Sequence, residues 1–292
     1  MSNDYSLDTS TMIVEFNASV WTARKLDKGV TDEVLHDKSA GAKSAGRFNK
    51  SLMAGRPELV EIQAIVGAAR TYIYSNTTPW SDAGQRWIPT TRLLKVDRRL
   101  SDYKAEFDAK VEAFIAIYPS LITAQAMALG DMFKREEYPH AQDIRRKFAF
   151  SFDFLPLPNT KDFRIAIPAD AQQDLKDRLE QALESRVANA VSDVKDRLVE
   201  HLKRMSDRLV TDTDPKTGDP KNRKFHDTLV TSAFELCDLV GDFSMGDKTL
   251  SDARTRLEAA LTGTTAEVLR TDSGKREDVK KEVDAILNSW NF

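Results

Sequence analysis

The fold is decided by the stretch from Ala169 to Val210, which reads ADAQQDLKDRLEQALESRVANAVSDVKDRLVEHLKRMSDRLV. The stretch contains neither Gly nor Pro, and its apolar side chains recur every three or four residues. This spacing places them on one stripe of an α-helix, which would be roughly 60 Å long at 1.5 Å per residue. The apolar positions are Leu175, Leu179, Leu183, Val187, Val191, Val194, Leu198, Leu202, Met205 and Leu209.

The mean spacing of this stripe is wider than the 3.5 residues of a left-handed coiled coil. It therefore favours a straight helix packed against neighbouring helices, and an extended arm or an oligomer seam is the alternative. Ion pairs such as Asp193 with Arg197 add only a few tenths of a kcal/mol each, so burial of the stripe must stabilise the helix. We expect part of the stripe to stay uncovered within the chain and to form a contact surface.

The remaining sequence predicts further helices and one small β element. Phe148 to Phe154 alternates apolar and polar residues, which indicates a half-buried strand, and Phe163 to Ile167 is a suitable hairpin partner. Residues 75–91 contain Asn76, Pro79, Gly84 and Pro89, which is typical of an irregular connection. The predicted helices cover 31–37, 57–74, 91–118, 119–135, 225–240, 247–261 and 275–290. The expected fold is mainly α with a small β element (α+β), formed by long antiparallel helices and a short central β-hairpin.

The order of the predicted elements divides the chain into two regions. Residues 1–168 form a mixed helical region with the β-hairpin, and residues 169–292 form the long helix plus a C-terminal helical region. The two regions are either separate domains or one continuous domain. The division rests on the start of the long helix, because no repeat or low-complexity linker separates the two halves.

The composition indicates a soluble globular protein. Charged residues make up 30% and hydrophobic residues 41%, and the net charge is −3, which lacks the strong positive field of a typical nucleic-acid binder. Cys237 is the single cysteine, which excludes an intramolecular disulfide and agrees with a cytoplasmic location. The N-terminus lacks a signal-peptide pattern. Residues 113–130 carry no charge, but Pro119 interrupts them, so we expect a buried helix–helix corner rather than a membrane span.

The sequence contains no recognisable catalytic motif. GxxxxGK[ST], GxGxxG, HExxH and GxSxG are all absent, and the four histidines lie far apart. The segment from Asp212 to Asp219 has the composition of a calcium loop, but Lys216 stands at the fifth position and Gly218 at the seventh rather than the sixth. We therefore expect a protein that is not an enzyme and that has no cofactor and no metal site.

Two basic clusters are the features that suggest a ligand. One lies between Lys38 and Arg56 and the other between Arg86 and Arg99. Cations beside exposed tryptophans, here Trp21, Trp80 or Trp87, are suited to single-stranded nucleic acid, because phosphates are neutralised and bases stack on the rings. The candidate residues are Lys43, Arg47, Lys50, Arg86, Trp87, Arg92, Lys95, Arg98 and Arg99.

Each of these features also has a structural explanation. Scattered Lys and Arg residues are commonly a solvated surface. The alternating Phe148, Phe150, Phe152 and Phe154 are either a stacking platform for bases or a core face against the long helices. The sequence leaves both alternatives open.

The N-terminal region resembles an uncharacterised family. The segments FNASVWTARKL at 16–26, KSAGRFN at 43–49 and Trp87-Ile-Pro89 resemble a bacteriophage and bacterial domain of unknown function with a Trp-x-x-Arg-Lys motif, over about residues 12–155. The resemblance implies a cytoplasmic, phage-encoded helical protein. Genes of this family can lie near genes of AAA+ ATPases, which implies an AAA+ ATPase as a partner. The family has no assigned catalytic residues.

Two main functional hypotheses follow from the sequence, and an enzyme whose active site is assembled by the tertiary fold is a third alternative. The first is a non-enzymatic helical interaction or assembly protein that binds a protein partner or forms a homo-oligomer. The second is an accessory protein that binds single-stranded DNA through the basic clusters and tryptophans. Both hypotheses place the protein in the cytoplasm and away from the membrane.

Overall fold

The computed structural model describes residues 10–157, 169–213 and 220–290. Within these ranges the protein is mainly helical with a small antiparallel β element, as the sequence predicts. The helices are α1 Lys28–Asp37, α2 Pro57–Asn76, α3 Thr90–Leu129, α4 Ala141–Arg145, α5 Ala169–Arg208, α6 Thr228–Phe243, α7 Lys248–Leu261, α8 Ala266–Thr271 and α9 Ser273–Ser289. Two short 3₁₀ turns, Gly130–Met132 and Arg135–Glu137, lie between α3 and α4.

The strands form one sheet and two small ladders. The strands are β1 Thr11–Ser19, β2 Arg24–Leu26, β3 Asn49–Ser51, β4 Thr78–Pro79, β5 Arg86–Pro89, β6 Ala149–Pro156, β7 Thr211–Thr213 and β8 Pro220–Asn222. The sheet has the order β4-β5-β1-β6, while β2 pairs with β3 and β7 with β8. β1 and β5 are antiparallel, with Ile13 opposite Trp87.

The two elements with the strongest local sequence patterns were predicted correctly. The long helix is confirmed as α5, and β6 is confirmed as a strand over the alternating Phe residues. The predicted hairpin partner at 163–167 lies outside the described residues, and the described neighbour of β6 is β1. The irregular connection predicted for 75–91 is wrong, because this segment contains β4 and β5. Their partner, β1, lies far away in the sequence, so no local pattern indicates the pairing.

The predicted break at Pro119 is also wrong. α3 continues through Pro119, so the expected helices at 91–118 and 119–135 are one helix that ends at Leu129. A proline inside a helix removes one hydrogen bond and usually costs about 3 kcal/mol. Tyr118, Leu121 and Ile122 are buried on either side of Pro119, and their burial offsets this cost. Ser120 also donates a hydrogen bond from Oγ to the carbonyl of Ile117 at 2.7 Å.

The chain divides into two compact units, each assembled from separate segments. The first unit comprises the described residues of Met1–Val14, Asn76–Leu93 and Leu155–Phe292, and the second comprises Glu15–Ser75 and Leu94–Phe154. The sequence predicts a division between 168 and 169, and the compact units do not follow it. Residues 76–93 belong with the C-terminal region because Trp80 and Trp87 are part of the core around α5.

The core of the first unit surrounds the second half of α5. Leu198, Leu202 and Met205 are fully buried there, where α5 packs against α6 and α9. α7 packs against both α6 and α9 and completes the helical layer. The ring of Trp87 contacts that of Phe243 edge to face. Burial of large side chains at 1.5–3 kcal/mol each is the main stabilising term of this unit.

A buried arginine closes the C-terminal end of α5. Arg276 on α9 is 1% exposed, and within the described residues its guanidinium donates hydrogen bonds to backbone carbonyls, among them those of Arg208, Leu209 and Val210. Arg208 is the last residue of α5 and the other two directly follow it, where no helical N–H remains to pair with their carbonyls. Burial lowers the pKa of Arg276 below its ordinary value, whereas the negative end of the helix dipole favours the cation.

The second unit has an aromatic core. Trp21, Phe114 and Tyr118 contact one another, and Phe148 packs against Phe114 with ring centroids 5.8 Å apart. Phe150 is 5% exposed and contacts the ring of Phe107. Of the two explanations for the alternating Phe residues, the structure therefore supports the core for Phe148 and Phe150.

Candidate interaction surface

Lys50, a residue of the first basic cluster, is not available to a phosphate. Its side chain is almost completely buried, and its Nζ lies 2.8 Å from carboxylate oxygens of both Asp27 and Glu137 and 2.6 Å from the carbonyl of Met132. Burial lowers the pKa of Lys50, but the bonds to Asp27 and Glu137 outweigh this effect and raise it above its ordinary value. The bond from Lys50 lowers the pKa of Asp27. Lys50 is therefore a structural cation.

Several residues of the second basic cluster are also buried or already hydrogen-bonded. Trp87 is completely buried and has no free ring face for a base, and Trp80 is 5% exposed beneath the guanidinium of Arg186. Arg86 donates hydrogen bonds to the hydroxyl and carbonyl oxygens of Thr77. Arg92 donates to a carboxylate oxygen of Asp242 at 2.5 Å. Trp21 is 8% exposed, so none of the three tryptophans meets the requirement for an exposed stacking ring.

The other candidate cations remain at the surface of the second unit. Lys43 and Arg47 lie exposed in the loop after α1, and Lys95 and Arg98 are exposed in the first turns of α3. Arg99 is also exposed, and its guanidinium lies over the ring of Tyr103, 4.3 Å from the centroid. Sequence reasoning identified these cations correctly as surface residues but could not show which neighbouring residues were buried.

The described residues offer little for covalent or metal chemistry. Within residues 10–157, 169–213 and 220–290, no group of three or more His, Cys, Asp or Glu side chains is arranged to hold a metal ion. Burial raises the pKa of the Cys237 thiol to about 12, so this sulfur carries no thiolate near neutral pH.

The second half of α3 presents an exposed surface without charge. One side of this segment is buried through Phe114, Tyr118, Leu121 and Leu129. The residues on the other side of the helix recur at intervals of three or four positions, which places them on one stripe. We call this stripe the charge-free face, and it consists of Ala113, Ala116, Ile117, Ser120, Thr123, Ala124 and Met127. It is about 20 Å long at 1.5 Å per residue.

Two of its side chains are large and apolar. Met127 is 93% exposed and Ile117 is 39% exposed. The remaining members are small, so another helix could approach this face closely. A buried corner was predicted for this segment, and only one side of the helix fulfils that prediction. The exposed side is an unusual surface for a helix, because solvated helix faces normally carry charged residues.

An apolar hollow adjoins the same part of the second unit. It has a volume of about 650 Å³, and its lining includes Met53, Pro57, Val60 and Ala64 at the start of α2. Val60 is 62% exposed. Gln125 of α3 is completely buried and donates a hydrogen bond from Nε2 to the carbonyl of Ala54 at 3.1 Å, and Ala54 also lines the hollow. The hollow is therefore joined to α3 through Gln125, on the buried side of this helix.

The segment Thr90–Met132 is also long and apolar enough to cross a membrane by length and composition. About 33% of its most apolar window is buried within the protein. The core helix of a soluble protein passes the same test, so this property is weak evidence for a membrane span. The expectation of no membrane contact stays a prediction.

The apolar stripe of α5 is covered unevenly. Its C-terminal half lies in the core, whereas Leu179, Leu183 and Val187 are partly buried and Leu175 is 39% exposed. Part of the predicted contact stripe is thus exposed, but the charges of the flanking positions surround it. The charge-free face of α3 was missed because Pro119 was interpreted as the end of a helix.

Comparisons with known proteins identify no relative. No protein-family model, no curated protein sequence and no solved structure matches the chain. The resemblance to the phage and bacterial family, and the AAA+ partner that it implies, therefore stay predictions.

Proposed function

We propose that the protein is a non-enzymatic helical assembly protein that self-associates through the charge-free face of α3. The observation that carries this proposal is the exposure of Met127 and Ile117 within an uncharged stripe. Exposed apolar surface that is contiguous is typical of a protein–protein contact, since water contact with it is unfavourable.

A second copy of the chain suits this face better than a charged partner. A two-fold interface brings the same patch of both copies together, so the patch must be complementary to itself. A face without charge creates no repulsion with its own copy, whereas other exposed helix faces, such as that of α5, carry charges of both signs. The small side chains Ala113, Ala116 and Ala124 allow close approach of two helices.

The hollow at the start of α2 offers additional contact area. A stable interface commonly buries about 800 Å² on each partner, which is more than one short helix face provides. Val60 is exposed at this hollow and adds apolar surface there. The proposal therefore includes the hollow as the second part of the interface.

Analytical ultracentrifugation tests this proposal. We expect the wild-type protein to sediment as a dimer or larger species over a wide concentration range, and Met127→Glu and Ile117→Glu to sediment as monomers. Leu94→Glu is the matched control, because Leu94 is 76% exposed on the same helix but lies outside the charge-free face. Its sedimentation should equal that of the wild type.

Two results would contradict the proposal. The first is a wild-type protein that stays monomeric at its highest soluble concentration, because such a protein does not self-associate. Flotation of the protein with neutral phospholipid vesicles, lost in Met127→Glu, would instead make the face a membrane-binding surface.

The single-stranded DNA hypothesis can be tested at the exposed cations Lys95, Arg98 and Arg99. Salt-sensitive binding that Arg98→Glu weakens would support it.

A further inference from the structure

A basic cavity in the first unit lies between the C-terminal half of α5 and the start of α6. Its volume is about 550 Å³, within the range of small-molecule sites. Four cationic or titratable side chains line it at its open side, namely Arg204, Arg208, Lys224 and His226. Among the described residues that line it, none is an aspartate or a glutamate. The cavity therefore concentrates positive charge in a concave surface, which attracts anions.

The order of residues in α5 produces this concentration. His201, Arg204 and Arg208 are three and four residues apart, so they lie on the same side of the helix. Lys224 and His226 come from the segment between β8 and α6, which passes the same end of α5. The sequence gives no sign of the cluster, because its two parts are separated by the β7–β8 segment.

Most of these cations have no carboxylate partner. Within the described part of the chain, Arg204, Lys224 and His226 form no ion pair, and Arg208 reaches only Asp207, at 3.8 Å. Other arginines of the same unit are paired, for example Arg256 with Glu282 at 2.6 Å. Unpaired cations that converge on one cavity repel one another, and a multiply charged anion would remove this repulsion.

The start of α6 adds to the positive potential. Thr228 is its first residue and lines the cavity, so the positive end of the helix dipole lies there. Asp227 precedes Thr228 but does not cap the helix with its side chain, since its carboxylate accepts a hydrogen bond from Arg270 at 2.5 Å. The cavity thus combines exposed cationic side chains with the positive end of a helix dipole.

One buried side chain forms the inner wall. His201 is 3% exposed, and its Nε2 donates a hydrogen bond to the carbonyl of Leu229 at 2.9 Å. Because a carbonyl can only accept, Nε2 carries the proton of the neutral ring. The ring joins α5 to α6 and holds the two sides of the cavity at a fixed separation.

We infer that this cavity binds the phosphate chain of a small polyphosphorylated ligand. Three side chains with permanent positive charge, Arg204, Arg208 and Lys224, match a di- or triphosphate better than a single phosphate. Among the described lining residues, Phe225 is the one phenylalanine, tyrosine or tryptophan, and the guanidinium groups of Arg270 and Arg276 lie over its ring, 5.2 and 5.5 Å from the centroid. The cavity therefore recognises the phosphates of the ligand, and Phe225 does not stack on a base.

Isothermal titration calorimetry of the full-length protein tests this inference. We expect inorganic triphosphate to bind more tightly than inorganic phosphate, and ATP and GTP to bind with nearly equal affinity. Added salt should weaken all of these interactions. Arg204→Gln and Lys224→Gln should each weaken triphosphate binding about 10-fold, because each removes a charge-assisted hydrogen bond.

Arg178→Gln is the matched control. Arg178 is an exposed arginine on the N-terminal half of α5, so its substitution changes the net charge equally without altering the cavity. It should leave triphosphate binding unchanged. Circular dichroism of each variant checks that the fold is intact, which we expect because Arg204 and Lys224 are exposed.

Three results would overturn the inference. The first is the absence of triphosphate binding at low salt. The second is an equal loss of binding in Arg178→Gln and Arg204→Gln, which would indicate an unspecific charge effect. The third is binding of ATP but not of triphosphate or GTP, which would mean that a base is recognised. These results are independent of self-association, since none of the variants alters α3.

Discussion

The two longest helices, α3 and α5, contain 40 residues each but use their surfaces differently. α5 has no Gly or Pro, buries an apolar stripe in its C-terminal half and carries charges on its solvated side. α3 contains Pro119, and from Ala113 onward one of its sides is exposed without any charge. Equal length and helicity therefore do not imply an equal role. Both helices contribute to the core of a unit, but α3 also presents the charge-free face.

The two helices also end by different means. α3 ends at Leu129, where Gly130 adopts φ +52°, a left-handed conformation that glycine takes without steric cost. α5 ends at Arg208, where the side chain of Arg276 binds the last carbonyls. The end of α3 depends on the local sequence, and that of α5 depends on a residue far along the chain. This contrast predicts different sensitivities to substitution.

The largest effect is expected for Arg276→Met. The substitution removes a donor from five backbone carbonyls of the described residues, of which those of Leu209 and Leu269 are buried and those of Arg208, Val210 and Arg223 are partly buried. An unsatisfied buried carbonyl costs about 1–3 kcal/mol. The free energy of unfolding should fall by at least about 3 kcal/mol, as measured by urea denaturation. Arg276→Lys tests whether charge alone suffices, and we expect it to remain destabilising, because one ammonium group cannot bind the same set of carbonyls.

Arg98→Met on α3 is the control for this loss. Arg98 is exposed, so its substitution should change the free energy of unfolding by less than about 0.5 kcal/mol. Equal stability of Arg276→Met and the wild type would show that the end of α5 does not need the guanidinium.

A smaller effect is expected when leucines of the two helices are compared. Leu198→Ala on α5 removes a completely buried side chain and should cost about 3 kcal/mol. Leu94→Ala on α3 removes one that is 76% exposed and should cost less than about 0.5 kcal/mol. Thermal denaturation of both variants measures the difference. Similar losses would contradict the burial of Leu198 in the core of the first unit.

The smallest effect concerns pH. α5 contains His201, whereas α3 has no histidine. Desolvation lowers the pKa of His201 from its ordinary value of 6.5, so the unfolded chain binds this proton more readily than the folded protein does. The contribution of His201 to stability is therefore complete above pH 6.5 and decreases as the pH falls through that value.

Denaturation at several pH values checks this expectation. His201→Gln keeps a donor for the carbonyl of Leu229 but does not titrate, so its stability should decrease less on acidification. Identical profiles for the wild type and His201→Gln would disprove this role of the histidine.

The sequence predicts those parts of the fold that local patterns determine. The course of α5 follows from the spacing of its apolar residues, and β6 from the alternation of its Phe residues. β4 and β5 were missed because they pair with β1, which is distant in sequence. The interior position of Pro119 was missed because its cost is local, whereas the burial of Tyr118 and Leu121 that offsets it is tertiary.

The candidate sites were predicted less completely for the same reason. Lys50 and Trp87 have the residue types of a nucleic-acid site, but their partners Glu137 and Phe243 lie far away in the chain. The sequence identified the charge-free segment of α3 and could not show that one side stays exposed. An uncharged run with small residues at three- and four-residue spacing was the available signal.

Pulsed electron paramagnetic resonance tests the central claim most directly. In a Met127→Cys variant, the introduced thiol takes a nitroxide label, while buried Cys237 is protected from the reagent. Self-association through the charge-free face predicts a narrow distribution of distances between labels of two copies, which disappears when Ile117→Glu is added or unlabelled protein is in excess. A signal with no defined distance at high protein concentration would contradict the claim.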